Sequence, residues 1–105
     1  MTDIKSRAAP VIGDAAAVES DDELIAKYIV RNPDGRGPDR AETVYGISVW
    51  TIIGYLRAAG ATGADVAAEY DLPEVAIRAA LAYYRQNQAL IDARILIDDA
   101  YWNEA

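Results

Sequence analysis

At 105 residues the chain has room for one domain with a modest core, and a net charge of −7 opposes non-specific attachment to phosphate backbones. It contains no His and no Cys, which excludes disulfides, thiolate or histidine metal sites, and Ser-His or Cys-His nucleophiles. No apolar run approaches the roughly 20 residues of a membrane span, and Met1–Lys5 lacks the basic-then-apolar start of a secretory signal. No membrane association is therefore expected, and the expected location is the cytoplasm.

Residues 1–19 show no sustained periodicity and read as a flexible tail, ordered only where something docks on it. The single domain is expected over 20–105. Ser20-Asp21-Asp22-Glu23 forms a capping box, so a helix is expected from Ser20, with Leu24, Ile25, Tyr28 and Ile29 on one face. The Tyr, Ile and Val content of Leu24–Val30 also permits a strand. Two prolines and two glycines in Asn32–Asp39 end that element.

Thr43–Ile47 reads as a short extended segment. Ser48 is expected to cap a helix that runs to Ala59 and stops at Gly60, with Val49, Ile52, Ile53 and Leu56 inward and Trp50 off that face. Thr62-Gly63-Ala64-Asp65 is a second capping box, opening a short helix to Tyr70. Asp71-Leu72 turns the chain, and Pro73-Glu74 opens a third helix. Apolar residues at Val66, Tyr70, Leu72, Ile77 and Leu81 fit a helix-turn-helix, with Leu72 filling the angle between its helices.

That last helix is expected to continue to the end of the chain. Ile77, Leu81, Tyr84, Gln88, Ile91, Ile95, Asp98 and Trp102 advance by alternating fours and threes as a heptad seam. A second stripe, Leu90, Ala93, Ile97 and Tyr101, lies about 100° away. A terminal helix cannot bury both stripes against so small a body, and an exposed apolar patch marks an interface. The fold expected is mainly α: a helix-turn-helix three-helix core with a long C-terminal helix and one short β segment before the core.

Catalysis has little footing. The glycines form no phosphate loop, and the carboxylate groups Asp21-Asp22-Glu23, Asp65 with Glu69, and Asp98-Asp99 stand at element ends or on wet faces, where all stay ionised. No enzyme activity and no cofactor are expected. Binding residues fall in two sets. For DNA, the start of the third helix offers Glu74, Val75 and Arg78, with Ala79 beside them, and a local surplus of base lies at Lys27, Arg31, Arg36 and Arg40. Only Arg78 among the first group suits guanine, and it stands four residues after Glu74, in the order that favours a surface pair. DNA binding by the chain alone is therefore expected to be weak. For a protein partner, the candidates are Leu90, Ile91, Arg94, Ile95, Ile97, Asp98, Asp99, Tyr101 and Trp102. The negative charge favours a basic partner, and the seam favours a homodimer.

The stretch from Asp22 to Ile95 resembles a bacterial family known as domain of unknown function 433. The resemblance rests on Gly46-Ile47-Ser48-Val49-Trp50 leading into a helix, on Val66-Ala67-Ala68-Glu69-Tyr70-Asp71-Leu72-Pro73, on Ala79-Ala80-Leu81-Ala82-Tyr83-Tyr84, and on Ile91-Asp92-Ala93-Arg94-Ile95. It implies an antitoxin-like protein that neutralises a PIN-like ribonuclease toxin and represses the shared operon through its helix-turn-helix. The acidity of the chain agrees, because a cover for an RNA-binding groove carries the charge of RNA. The alternative from the residues alone is an adaptor that homodimerises through its C-terminal helix and touches neither nuclease nor DNA.

Overall fold

The computed structural model describes residues 19–104. The expected tail therefore lies outside the described residues, apart from Glu19. Five helices and a two-stranded antiparallel ribbon follow in the order α1 (Asp21–Tyr28), β1 (Ile29–Val30), β2 (Glu42–Thr43), α2 (Val49–Ala59), α3 (Gly63–Tyr70), α4 (Glu74–Gln86) and α5 (Gln88–Glu104). The fold is mainly helical, as the periodicities predict.

Both readings of Leu24–Val30 hold in part. Ser20 and Glu23 exchange the two hydrogen bonds of a capping box and start α1. After Tyr28 the chain straightens into β1, where Ile29 faces Thr43 and Val30 faces Glu42. Thr43 is buried, and its hydroxyl accepts from the N–H of Tyr45 and of Ile47 at 3.3 Å each, which closes the turn into α2. A buried hydroxyl without such donors would be costly. Between the strands, Pro33–Gly35 and Pro38–Arg40 form two single 3-10 turns.

The second capping box also forms: Thr62 accepts from Asp65 N–H at 3.1 Å, and Asp65 accepts from Thr62 N–H at 3.0 Å. Gly60 ends α2 with φ 61°, a conformation that glycine adopts without steric cost. The cap expected of Ser48 is absent. Its hydroxyl lies 2.6 Å from that of Thr51 instead, and no side-chain bond reaches the free N–H groups of α2.

Helix α4 is the axis of the domain and packs against α1, α2 and α3. Its buried residues include Ala76, Ala79, Ala80 and Ala82, whose small side chains let three helices approach the same rod closely. Leu72 is buried in the turn between α3 and α4, the position the pattern gave it. Tyr83 is 1% exposed, and its hydroxyl donates to the Pro38 carbonyl at 2.8 Å, fastening α4 to the loop that precedes β2.

The expected continuity of the last helix also fails. The helix from Glu74 does not run on to the end: the chain breaks at Asn87, with φ −137° and ψ 38°. Asn87 donates its side-chain amide to the Tyr83 carbonyl at 2.9 Å and its N–H to the Tyr84 carbonyl at 3.0 Å, which terminates α4. Its own carbonyl then accepts the first bond of α5, from Ile91 N–H. A short amide side chain that bonds its own backbone competes with helical propagation. The change of direction folds α5 back on α2, and the heptad seam from Ile77 to Trp102 does not exist as one line.

Candidate functional site

Helix α5 carries two apolar stripes, and the body covers one of them. Ile91 is fully buried and Ile95 is 9% exposed, both packed in the common core. On the other side Leu90 is half-buried and Ala93 and Ile97 are exposed; Leu96, beside them, is 70% exposed and Ile97 56%. The single-face limit of a small body thus decides which residues are free. Ile91 and Ile95 were expected at a partner interface and are instead core residues.

Arg94 needs the same correction. Its side chain is 15% exposed and turns inward to Asp39 at 3.4 Å. Asp98 is half-buried and Asp99 exposed. Tyr101 and Trp102 lie on α5, but their side chains fall outside the described residues. Of the expected partner set, Leu90 and Ile97 remain on the outer face of α5, joined by Leu96, while Asp98 and Asp99 stand on the side toward α2.

The inner edge of α5 is fixed by a polar knot that sequence reading missed. Asp92 accepts from Arg57 and, at 2.8 Å, from the Tyr84 hydroxyl; Arg57 also donates to that hydroxyl and lies over the Tyr84 ring at 5.4 Å. The Arg57 guanidinium and then the tyrosine hydroxyl hold the Asp92 carboxyl below its ordinary range. No local signal foretells a contact across 35 residues. Beyond this knot α2 and α5 diverge around a groove of about 510 Å³. It is lined on α2 by Trp50, Gly54 and Tyr55 among others, on α3 by Tyr70, and on α5 by Ile95, Asp98 and Asp99.

The DNA-binding candidates do not assemble into one basic face. Glu74 and Arg78 are exposed, Val75 is half-buried, and Ala79, read as part of the same edge, is fully buried. Glu74 and Arg78 form no ion pair with each other. Lys27 is paired with Glu19, Arg36 lies 3.7 Å from both Asp34 and Glu42, and Arg40 lies 4.0 Å from Asp39. Arg31 lies over the Tyr83 ring at 6.0 Å. Arg36, Arg40 and Arg94 do meet around a recess of about 360 Å³ at the start of α2, but Glu42 and Asp98 line it too. Most of the local cationic surplus is therefore met within the chain.

Among the described residues no group of three or more acidic side chains is placed to hold a metal ion, and no helix is long and apolar enough to cross a membrane. Residues 45–84 match the model of the family described as protein of unknown function (DUF433). The similarity is confined to that segment. It covers α2, α3, the turn and most of α4, a narrower span than the resemblance from Asp22 to Ile95. The DUF433 segment supplies Trp50, Gly54, Tyr55 and Tyr70 to the groove, whereas Ile95, Asp98 and Asp99 lie beyond it. No curated protein and no solved structure is significantly similar to the chain.

Proposed function

We propose that this DUF433 chain is a cytoplasmic binding protein and not a catalyst, and that it acts as an antitoxin-like cover for a basic, PIN-like ribonuclease. The observation that carries this reading is the C-terminal half of α5, where Leu96 and Ile97 stand exposed on the outer face and the acids Asp98 and Asp99 line the side toward α2. Two large exposed aliphatic side chains supply burial, at roughly 25 cal/mol per Å² removed from water. The carboxylates and the net charge of −7 steer a positively charged groove toward them. Operon repression through the helix-turn-helix is the subordinate part of the reading, because Arg78 is the one exposed cation on its reading edge.

A second copy of the chain is the competing occupant of the same surface, favoured by the three-and-four spacing of Leu90, Ala93 and Ile97. Co-expression with a small basic nuclease encoded beside the gene separates the two. The wild type is expected to co-purify with the nuclease and to protect cells from it. Leu96→Asp with Ile97→Asp should lose both effects while keeping the wild-type thermal melt. Retained protection by that variant would place the contact elsewhere. A dimer in sedimentation that dissociates in the variant, with no nuclease bound by the wild type, would establish the adaptor.

A further inference from the structure

Gly54 has no role in the fold that contains it. It stands in the middle of α2, where glycine weakens a helix relative to alanine, and its φ is not positive. A Cβ built on it meets nothing within 4 Å. The other described glycines each have a local reason. Gly35, Gly37, Gly46 and Gly60 take positive φ, and a Cβ on Gly63 would lie 3.5 Å from Ile77. What the missing side chain at Gly54 does create is depth, since the residue lines the groove between α2 and α5.

The chemistry around that depth is specific. Trp50 and Tyr55 flank Gly54 on α2, and the Tyr55 and Tyr70 rings meet edge to face at 5.8 Å, which fixes that wall. Asp98 and Asp99 stand on the opposite side, and neither has an ion-pair partner among the described residues. Arg57, also in the groove, is held by Asp92 and Tyr84.

We infer that this groove receives an arginine side chain from a basic protein partner. Its aliphatic stem lies over the bare backbone at Gly54. Its guanidinium stacks on the Trp50 ring and donates to the carboxylates of Asp98 and Asp99. Arginine fits better than lysine because its planar, weakly hydrated head group both stacks on aromatic faces and donates in a fork. The inference rests on the basic-partner reading for the source of the arginine, and it makes the DUF433 segment one wall of the contact.

The test uses the full chain carrying Trp102→Phe, which leaves Trp50 as the single tryptophan. It is titrated with a Gly-Arg-Gly peptide and with the lysine and citrulline versions of that peptide. The Trp50 emission is expected to respond saturably to the arginine peptide, more weakly to lysine and not to citrulline, which keeps the shape without the charge. Gly54→Leu should abolish the response, and Asp98→Asn with Asp99→Asn should weaken it about tenfold. Gly54→Ala should raise the melting temperature by about 4–8 °C, as expected for an unobstructed glycine replacement in a helix of a small domain. Equal binding of citrulline, or an unchanged response in Gly54→Leu, would overturn the proposal. A dimer that Gly54→Leu dissociates would assign the groove to a second copy and overturn it as well. If Gly54→Leu still captures the nuclease with unchanged affinity, the groove inference falls and the antitoxin reading stands. If the arginine peptide binds but no nuclease is captured, the inference stands and that reading falls.

Discussion

Asp92 joins three helices through one carboxylate: it sits on α5, accepts from Arg57 of α2 and accepts from Tyr84 of α4. Its pKa is lowered in the folded chain, first by the Arg57 hydrogen bond and then by that of Tyr84. Asp65 and Glu23 are lowered too, each chiefly by the backbone N–H of its capping box, and Asp21 by the bond from Arg85. All four folded values lie below the unfolded ones, so their stabilisation is present above the unfolded carboxylate range, about pH 4, and is lost as pH falls through the folded values. Thermal melts should therefore be flat from neutral to about pH 5 and fall steeply below pH 4. Asp92→Asn should lower the neutral plateau and reduce the fall, because the group that titrates is gone. A variant whose melting temperature keeps the full wild-type acid dependence would remove Asp92 from this account.

Three helix ends here are bounded by side chains that bond nearby backbone. Ser20 and Thr62 open helices by closing reciprocal capping boxes, and Asn87 closes one by bonding the Tyr83 carbonyl. The break at Asn87 turns a single long rod into two helices and assigns opposite fates to neighbouring apolar residues of α5. Ile91→Asp places a charge with no partner in the core and should cost more than about 4 kcal/mol, unfolding so small a domain. Ile97→Asp changes an exposed position and should stay within about 0.5 kcal/mol of wild type. Circular dichroism melts of the two variants check the difference. A folded Ile91→Asp protein would contradict the packing of α5 on the body. For the same reason a truncation that probes the outer face of α5 has to keep Ile91, Asp92 and Ile95, as a cut after Ile95 does.

Electrostatics act on the molecule as a whole. Among the described residues six cations, Lys27, Arg36, Arg40, Arg57, Arg85 and Arg94, lie in ion pairs within the chain. Arg78 is left on the helix-turn-helix edge of a protein with charge −7. The isolated chain should therefore bind a promoter fragment no tighter than the non-specific range, a dissociation constant of about 10⁻⁴–10⁻⁶ M at physiological salt. Few phosphates can be neutralised, so the salt dependence should be shallow, and Arg78→Ala should change little. Fluorescence anisotropy at several salt concentrations measures both. Nanomolar, sequence-specific binding by the chain alone would show that the paired arginines are released on contact with DNA.

The local order of this protein is legible in its sequence because local interactions set it. The two capping boxes, the stop at Gly60 and the turn around Leu72 each depend on residues within a few positions, and each forms as the pattern predicts. The existence of two apolar stripes on the last helix is likewise a matter of period. Which stripe is buried is not, because it depends on the direction α5 takes after Asn87 and on what α2 presents to it. The pairing of Asp92 with Arg57, the inward turn of Arg94 to Asp39 and the neutralisation of the loop arginines all join residues brought near only by packing. The groove at Gly54 belongs to the same class: a glycine in a helix is visible in the sequence, but an empty space beside it exists only once two helices diverge. Burial and charge pairing are properties of neighbours in space, and the tertiary structure alone decides those.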